Sequence, residues 1–135
     1  MLTKKAKYAL NTLIYLSKCV ESQPVSAKHI ASENRIPSKF LESILNDLKQ
    51  AGILTSVQGR GGGYLMRKLP RDITIVEIIR LFDGAIGLIP CATYQFFKPC
   101  QECEDIEVCK IRKTFKDLRD INVDFLRGKA LSDLI

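Results

Sequence analysis

The 135-residue chain contains one histidine, His29, and no tryptophan. No serine or cysteine stands at a recognisable spacing from that histidine, and most acidic residues ride on helix faces, so an enzyme is not expected. His29 falls on the polar side of a short helix, far in sequence from the clustered cysteines, and reads as a surface residue. Long apolar runs are also missing. The longest uncharged stretch, Gly84 to Phe97, contains Pro90 and is too short to span a bilayer. The opening Met1-Leu2-Thr3-Lys4-Lys5 leads only to an uncharged run from Tyr8 to Ser17, which carries Asn11 and Thr12 and has no small-residue cleavage site. No membrane partner is expected, and the cytoplasm is the expected compartment. Few glycines or prolines lie outside evident turns, which argues against disorder. The glycine-rich stretch near residue 60 has no Walker lysine and no strand-loop-helix order, which argues against a nucleotide-phosphate loop.

What is present is a basic excess confined to one half. The formal net charge is +6. Residues 1–68 hold 11 Lys+Arg against 4 Asp+Glu, a balance of +7, and residues 69–135 hold 10 against 11, a balance of −1. A basic field of this kind attracts DNA phosphates and makes binding fall with salt, although an acidic protein or an anionic membrane would be drawn to it too. The length allows one compact domain, or a small domain with an appended helix, and excludes two large ones.

The basic half is organised around residues 36–64. Pro37 to about Ala51 predicts a helix in which Phe40, Leu41, Ile44, Leu45 and Leu48 form an apolar stripe. Ser38, Lys39, Glu42, Ser43, Asn46 and Lys49 occupy the other side. Asn and Ser offer donors and acceptors to base edges, Lys neutralises phosphates, and Glu42 can accept from a cytosine amino group. Val25 to Asn34 predicts a shorter helix capped by Ser26, followed by a tight turn in which Asn34 takes a left-handed conformation. Together these make a helix-turn-helix unit. After the Gly52 stop, strands over Ile53–Gln58 and Tyr64–Arg67 are joined by Gly59-Arg60-Gly61-Gly62-Gly63, a hairpin wing with Arg60 at its tip.

Around this head the chain supplies three further helices. Thr3 caps the first, which runs to about Val20 or Glu21 with Ala6, Leu10, Leu13, Ile14 and Leu16 inward; Cys19 near its end reads as a buried small hydrophobe. Thr74 and Glu77 form a capping box for a helix burying Ile75, Ile78, Ile79 and Phe82 and stopped by Asp83-Gly84. A last long helix is expected from about Asp105 to Leu126 or Arg127. Its stripe, Ile106, Val108, Ile111, Phe115, Leu118, Asn122 and Phe125 with Ile121 and Val123 beside it, is too long for so small a head to cover. An antiparallel crossing with the same helix of a second subunit would bury it and present two heads to a pseudo-palindromic site in double-stranded DNA. The fold class expected is mainly α with a small β-hairpin wing: a winged helix-turn-helix plus a long C-terminal dimerisation helix.

Between head and long helix lie four of the five cysteines. Cys91, Cys100, Cys103 and Cys109 are separated by eight, two and five residues. Four thiolates can complete a tetrahedral zinc site or an iron–sulfur cluster, and a metal-free thiol or disulfide switch is the remaining option. Cys109 gains from lying at a helix N-terminus. Glu102, Glu104, Asp105 and Glu107 oppose thiolate formation unless a cation is present, or else form a solvated acidic edge. A long loop in a small chain is commonly functional or held by a ligand.

The run Ile36-Pro37-Ser38-Lys39-Phe40-Leu41-Glu42-Ser43-Ile44-Leu45 closely resembles the Rrf2 family of bacterial winged-helix regulators. Leu48, Ala51-Gly52-Ile53-Leu54, Ser56, Gly59-Arg60-Gly61-Gly62-Gly63-Tyr64-Leu65 and the opening Lys7-Tyr8-Ala9-Leu10 carry the same resemblance. It spans nearly the whole chain and is most specific at the wing. The resemblance implies a homodimeric transcription factor from a family that includes iron–sulfur sensors and cluster-free regulators. It also implies that Ser38, Lys39, Glu42 and Ser43 read the major groove. Many relatives have arginine where this chain has Gln58, and often proline at Arg60, so Arg60 stands in for that arginine. Cluster-binding relatives have three cysteines in a comparable loop, commonly five residues apart, with a fourth ligand from elsewhere. Cys103 and Cys109 keep that step, and Cys91 corresponds to the first ligand. Arg112 occupies a place where some relatives have a histidine ligand, and Tyr8 and Thr12 lie where others recruit one. Cys100 is expected to supply the missing ligand, making an all-cysteine site within one subunit for a [2Fe–2S] or [4Fe–4S] cluster, with zinc as the alternative. An electron-transfer or cluster-transfer protein is the alternative from another class. The expected organisation is a DNA-binding domain over 1–84, a sensor loop over 85–104, and a dimerisation helix and tail over 105–135.

Overall fold

The computed structural model describes residues 2–135. Helix α1 (Lys4–Lys18) starts where Thr3 accepts a hydrogen bond from the Ala6 N–H at 3.2 Å. Thr3 also binds the Asp83 carboxylate through its own backbone N–H at 3.0 Å and through its hydroxyl. One residue thus begins the first helix and fastens it to Asp83, at the end of a later helix. The helix stops at Lys18, short of the expected Val20, because Cys19 turns to an extended conformation and caps it.

Helices α2 (Ala27–Asn34) and α3 (Ser38–Gln50) form the helix-turn-helix. Ser26 caps α2 by accepting from the His29 N–H. The left-handed residue of the turn is Arg35 (φ 53°), not Asn34; Asn34 ends the helix, and its side-chain amide donates to the Ile30 carbonyl at 2.9 Å. Leu41, Ile44, Leu45 and Leu48 of α3 are fully buried against Leu13, Ile30, Ile53 and Ile78. Burying each such side chain contributes roughly 1.5–3 kcal/mol, far more than helix propensity could. Phe40 is the exception to the predicted stripe. It remains 39% exposed at its edge, where it meets Tyr8 edge-to-face with ring centroids 5.7 Å apart.

Strands β1 (Leu54–Val57) and β2 (Gly63–Met66) pair antiparallel, Leu54 opposite Met66 and Val57 opposite Gly63. β1 is shorter than expected, and β2 has the expected length but begins one residue earlier. Gly59 and Gly61 hold positive φ at the tip, as the hairpin requires. Gly63 serves a different end. Val25, entering α2, exchanges two backbone hydrogen bonds with Tyr64, at 3.0 and 2.8 Å, and a Cβ at Gly63 would collide with the Val25 carbonyl. The wing is therefore stitched to the chain that leads into the helix-turn-helix.

Helix α4 (Ile75–Asp83) is capped by Thr74, which accepts from the Glu77 N–H at 3.3 Å. The reciprocal half of the predicted box is replaced: the Glu77 carboxylate turns to Lys68 at 2.8 Å, an ion pair to the end of the wing. Helix α5 (Lys110–Arg127) starts at Lys110, not near Asp105. Asp105 accepts from the Glu107 N–H at 2.9 Å, a local turn that competes with helix, and Cys109 becomes the cap. After α5 the chain returns to the head. Leu131 is fully buried in its core, its N–H donates to the Ile73 carbonyl at 2.8 Å, and the Ile75 N–H donates to the Lys129 carbonyl at 2.9 Å. Among the described residues, no helix is long and apolar enough to cross a membrane.

Candidate nucleic-acid interface and cysteine loop

The outer side of α3 is free. Ser38, Lys39, Glu42, Ser43 and Asn46 are all exposed, and among the described residues none of their side chains forms a hydrogen bond or ion pair with the protein. Pro37 caps the helix without a side-chain bond, so no cap side chain claims the first N–H groups of α3. Gln58 and Arg60 are exposed at the wing tip, likewise without protein partners. Polar groups in such numbers, positioned on a buried apolar stripe and left unpaired, are what a groove-reading surface requires. His29 lies exposed on α2 with its ring 6.4 Å from that of Tyr15, as expected of a surface residue.

The cysteine loop is built differently. A 3-10 turn at Pro90–Ala92 buries Cys91 and Ala92, and two arginines of α5 hold it. Arg112 Nε donates to the Cys91 carbonyl at 2.9 Å, while Arg119 Nη1 donates to the Ala92 carbonyl. Arg119 is only 3% exposed. Its guanidinium lies 3.6 Å from the Tyr94 ring centroid and donates twice to Asp120, whose same oxygen accepts from the Tyr94 hydroxyl at 3.1 Å. The hydrogen bond from Arg119 holds the Asp120 carboxyl below its usual range, against a smaller effect of burial, and the Tyr94 hydroxyl assists. These arginines escaped the hydropathy reading. Their signal was a seven-residue spacing that continues to Leu126, with Val123 four residues after Arg119 on the same side, tracing an inward face distinct from the outward Ile111, Leu118, Ile121 and Phe125.

Cys100 feels the charge of Cys91 and Cys109, and Cys103 that of Cys109 and Cys100. The neighbouring Cys91 is the main cause holding the Cys100 thiol above its ordinary range, followed by burial, Glu102 and Cys109. Partial burial raises the Cys103 thiol first, then Cys109, Cys100 and Asp105, while Arg112 opposes them. Cys103 is turned back toward Cys100 by its N–H donating to the Cys100 carbonyl at 3.2 Å. Cys109 Sγ accepts from the Arg112 N–H at 3.5 Å. Among the described residues, however, no three His, Cys, Asp or Glu side chains are drawn together closely enough to hold a metal ion. The donor chemistry nonetheless fits a soft or borderline cation: thiols that raise one another's proton affinity are poor free thiolates and good ligands once a positive centre is among them. Cys19 belongs elsewhere. It is half-buried, not buried as predicted, its thiol donates to the Tyr15 carbonyl at 3.4 Å, and it lines a cavity of ≈ 220 Å³ between α1 and the wing.

Comparison with known proteins agrees with this architecture. The family model Rrf2, described as an iron-dependent transcriptional regulator, matches residues 2–135. An Rrf2-like HTH-type transcriptional regulator of Rhodobacter capsulatus is 40% identical over 138 residues, covering 100% of this chain and 92% of that protein. The HTH-type transcriptional regulator IscR of Pectobacterium atrosepticum is 27% identical over 99% of this chain and 78% of its own length. Among solved structures, CymR, the global cysteine regulator of Bacillus subtilis, superposes with a TM-score of 0.78 at 29% identity, covering 99% of this chain and 95% of that one. These are DNA-binding transcriptional regulators and not enzymes, and on the full-length family match the chain belongs to the Rrf2 family of winged helix-turn-helix transcriptional regulators.

Proposed function

We propose that this regulator acts in the cytoplasm as a homodimer on a pseudo-palindromic operator, and that its cysteine loop senses redox or iron–sulfur status. In this reading Ser38, Lys39, Glu42, Ser43 and Asn46 contact the major groove, and Gln58 and Arg60 the flanking backbone or minor groove. Cys91, Cys100, Cys103 and Cys109 would hold an iron–sulfur cluster, with zinc as the alternative occupant. The chain works as a DNA-binding unit over 1–84, a sensor loop over 85–104 and a dimerising segment over 105–135. The observation that carries the sensor reading is four cysteines on one loop that ends at the Cys109 cap of α5, with Arg112 bonded both to the Cys109 thiol sulfur and to the Cys91 carbonyl. Dimerisation is supported by Ile121 and Phe125, 66% and 64% exposed on the outward face of α5 together with Ile111 and Leu118. A row of large apolar side chains at this spacing suits a matching helix.

When bound, a cluster supplies sensitivity to one-electron chemistry and to oxygen. The protein supplies the transmission. Drawing the thiols together pulls on the Pro90–Ala92 turn, Arg119 carries that displacement from the Ala92 carbonyl into α5, and a shifted α5 changes the separation of the two reading heads. A metal-free switch is the second reading: a two-electron oxidant such as a peroxide would take two electrons and two protons from the Cys91 and Cys100 thiols and leave a disulfide. Family membership favours a regulator over an electron carrier.

Anaerobic purification with a visible spectrum, and iron, sulfide and zinc analysis of the same sample, tests the proposal. A coloured protein with matching iron and sulfide, whose operator affinity changes as the colour is lost in air, is the expected outcome. Stoichiometric zinc would make the site structural. Absence of metal after attempted reconstitution would move the conclusion to the disulfide.

A further inference from the structure

Arg112 meets the cysteine loop in two places. Its backbone N–H donates to Cys109 Sγ at 3.5 Å, and its Nε donates to the Cys91 carbonyl at 2.9 Å. The guanidinium lies 5.8 Å from the centroid of Phe97, inside the loop's long arm between Cys91 and Cys100. A guanidinium has no lone pair to give a metal, so Arg112 cannot itself be a ligand. It is placed to do two other things. It ties the first cysteine to the helix end that carries the last one, and it brings positive charge to a region where Glu102, Glu104, Asp105 and Glu107 bring negative charge. Four thiolates around a divalent cation, or around a [2Fe–2S]²⁺ unit, leave a net charge of about −2, which a half-exposed loop of this acidity tolerates poorly without a cation. Arg119, the other arginine on the same face, is already committed to Ala92, Tyr94 and Asp120.

Resting on the reading that the four thiols hold a metal centre, we propose that Arg112 is a positioning residue for that centre, fixing Cys91 beside Cys109 and offsetting the negative charge of the assembled thiolates. Loss of a group that orients and balances metal ligands typically weakens metal affinity by about 10–100-fold.

The test compares wild type, Arg112→Lys and Arg112→Gln, prepared anaerobically with thiols reduced. Cobalt(II) is titrated against the thiolate-to-metal absorption band, and samples reconstituted with ferrous iron and sulfide are measured for midpoint potential. Lys113→Gln is the control, because Lys113 pairs with Asp117 on an exposed part of α5. Arg112→Gln is expected to lose about 10–100-fold in cobalt affinity and to shift the potential negative, since removing a cation disfavours the more anionic reduced form. Arg112→Lys, which keeps the charge and stays folded even if the glutamine variant does not, is expected to recover most of both. Wild-type cobalt affinity and potential in Arg112→Gln would overturn the proposal and leave the metal site standing. Failure of the wild type to bind cobalt or to reconstitute would overturn the metal reading beneath it. A lysine variant as impaired as the glutamine variant would overturn the charge role.

Discussion

Between Leu41 and Leu54 the winged head buries Leu41, Ile44, Leu45, Leu48, Ile53 and Leu54; between Ala85 and Cys109 the chain buries only Cys91 and Ala92. The head is held by interlocking apolar side chains contributed by every element. The loop is held by two arginines and one carboxylate of a single helix, the carboxylate accepting from the loop's own Tyr94 hydroxyl. Apolar cores are dense, cooperative and hard to deform, whereas a few directional bonds over a sparse interior open at low cost. A regulator needs both kinds of material: a rigid surface to read a fixed groove spacing, and a soft one to register a chemical change.

Four measurements sharpen or break this contrast, from the largest expected effect down. Leu45→Ala in the head should cost about 2–5 kcal/mol of unfolding free energy, read from urea midpoints, while Phe96→Ala in the loop, where the ring is 78% exposed, should stay within about 0.5 kcal/mol. Equal losses would erase the distinction. Arg119→Ala should lower the local opening free energy of residues 90–97 by about 1–3 kcal/mol, because the buried Ala92 carbonyl loses its donor. Hydrogen exchange across the whole chain would read it, with the helix-turn-helix amides unchanged.

On the reading surface, Glu42→Ala and Ser43→Ala should each relax base preference at one operator position by about 1–3 kcal/mol. Lys39→Ala and Arg60→Ala should instead weaken binding to all sequences and reduce the salt slope by about 1. Uniform weakening by all four variants would remove the distinction between readers and phosphate contacts. The smallest effect concerns Asp120, whose carboxyl is held below its usual range chiefly by Arg119. Because the folded form binds its proton less readily than the unfolded chain, its contribution is present above the ordinary carboxylate range, about 4, and is lost as pH falls below it. Loop protection measured from pH 6 downward should therefore decline in acid, and the decline should vanish in Asp120→Asn.

How far each region could be read from sequence follows the same division. The three caps at Thr3, Ser26 and Thr74, the buried face of α3 and the wing all depend on neighbours within a few residues, and local patterns reveal those. What sequence missed depends on distant partners. Glu77 had a local cap within reach and chose Lys68; Gly63 was read as a turn residue and is required by Val25. Asp105 to Val108 have helical spacing, yet the Asp105 side chain and the Cys109 cap delay α5. Arg119 was hidden because hydropathy assigns arginine to solvent, and only the three-dimensional meeting of Ala92, Tyr94 and Asp120 allows it inside. The cysteine spacing suggested the proposed donor set, and the arginines that hold the loop against α5 came from structure alone.

The return of Leu131 to the core bears on how α5 can move. The helix is fastened near its N-terminus through Arg112 and Arg119, and just beyond its C-terminus through Leu131 and the Lys129 carbonyl. A rod pinned at one end swings like an oar, but a rod pinned at both ends can only roll about its axis or slide by a fraction of a turn. Small rotations of this kind tilt the outward row of Ile111, Leu118, Ile121 and Phe125 without lengthening the molecule. In the proposed dimer a two-fold axis would repeat each such roll in the partner, so the angle between the two heads would change by twice the angle through which either helix turns.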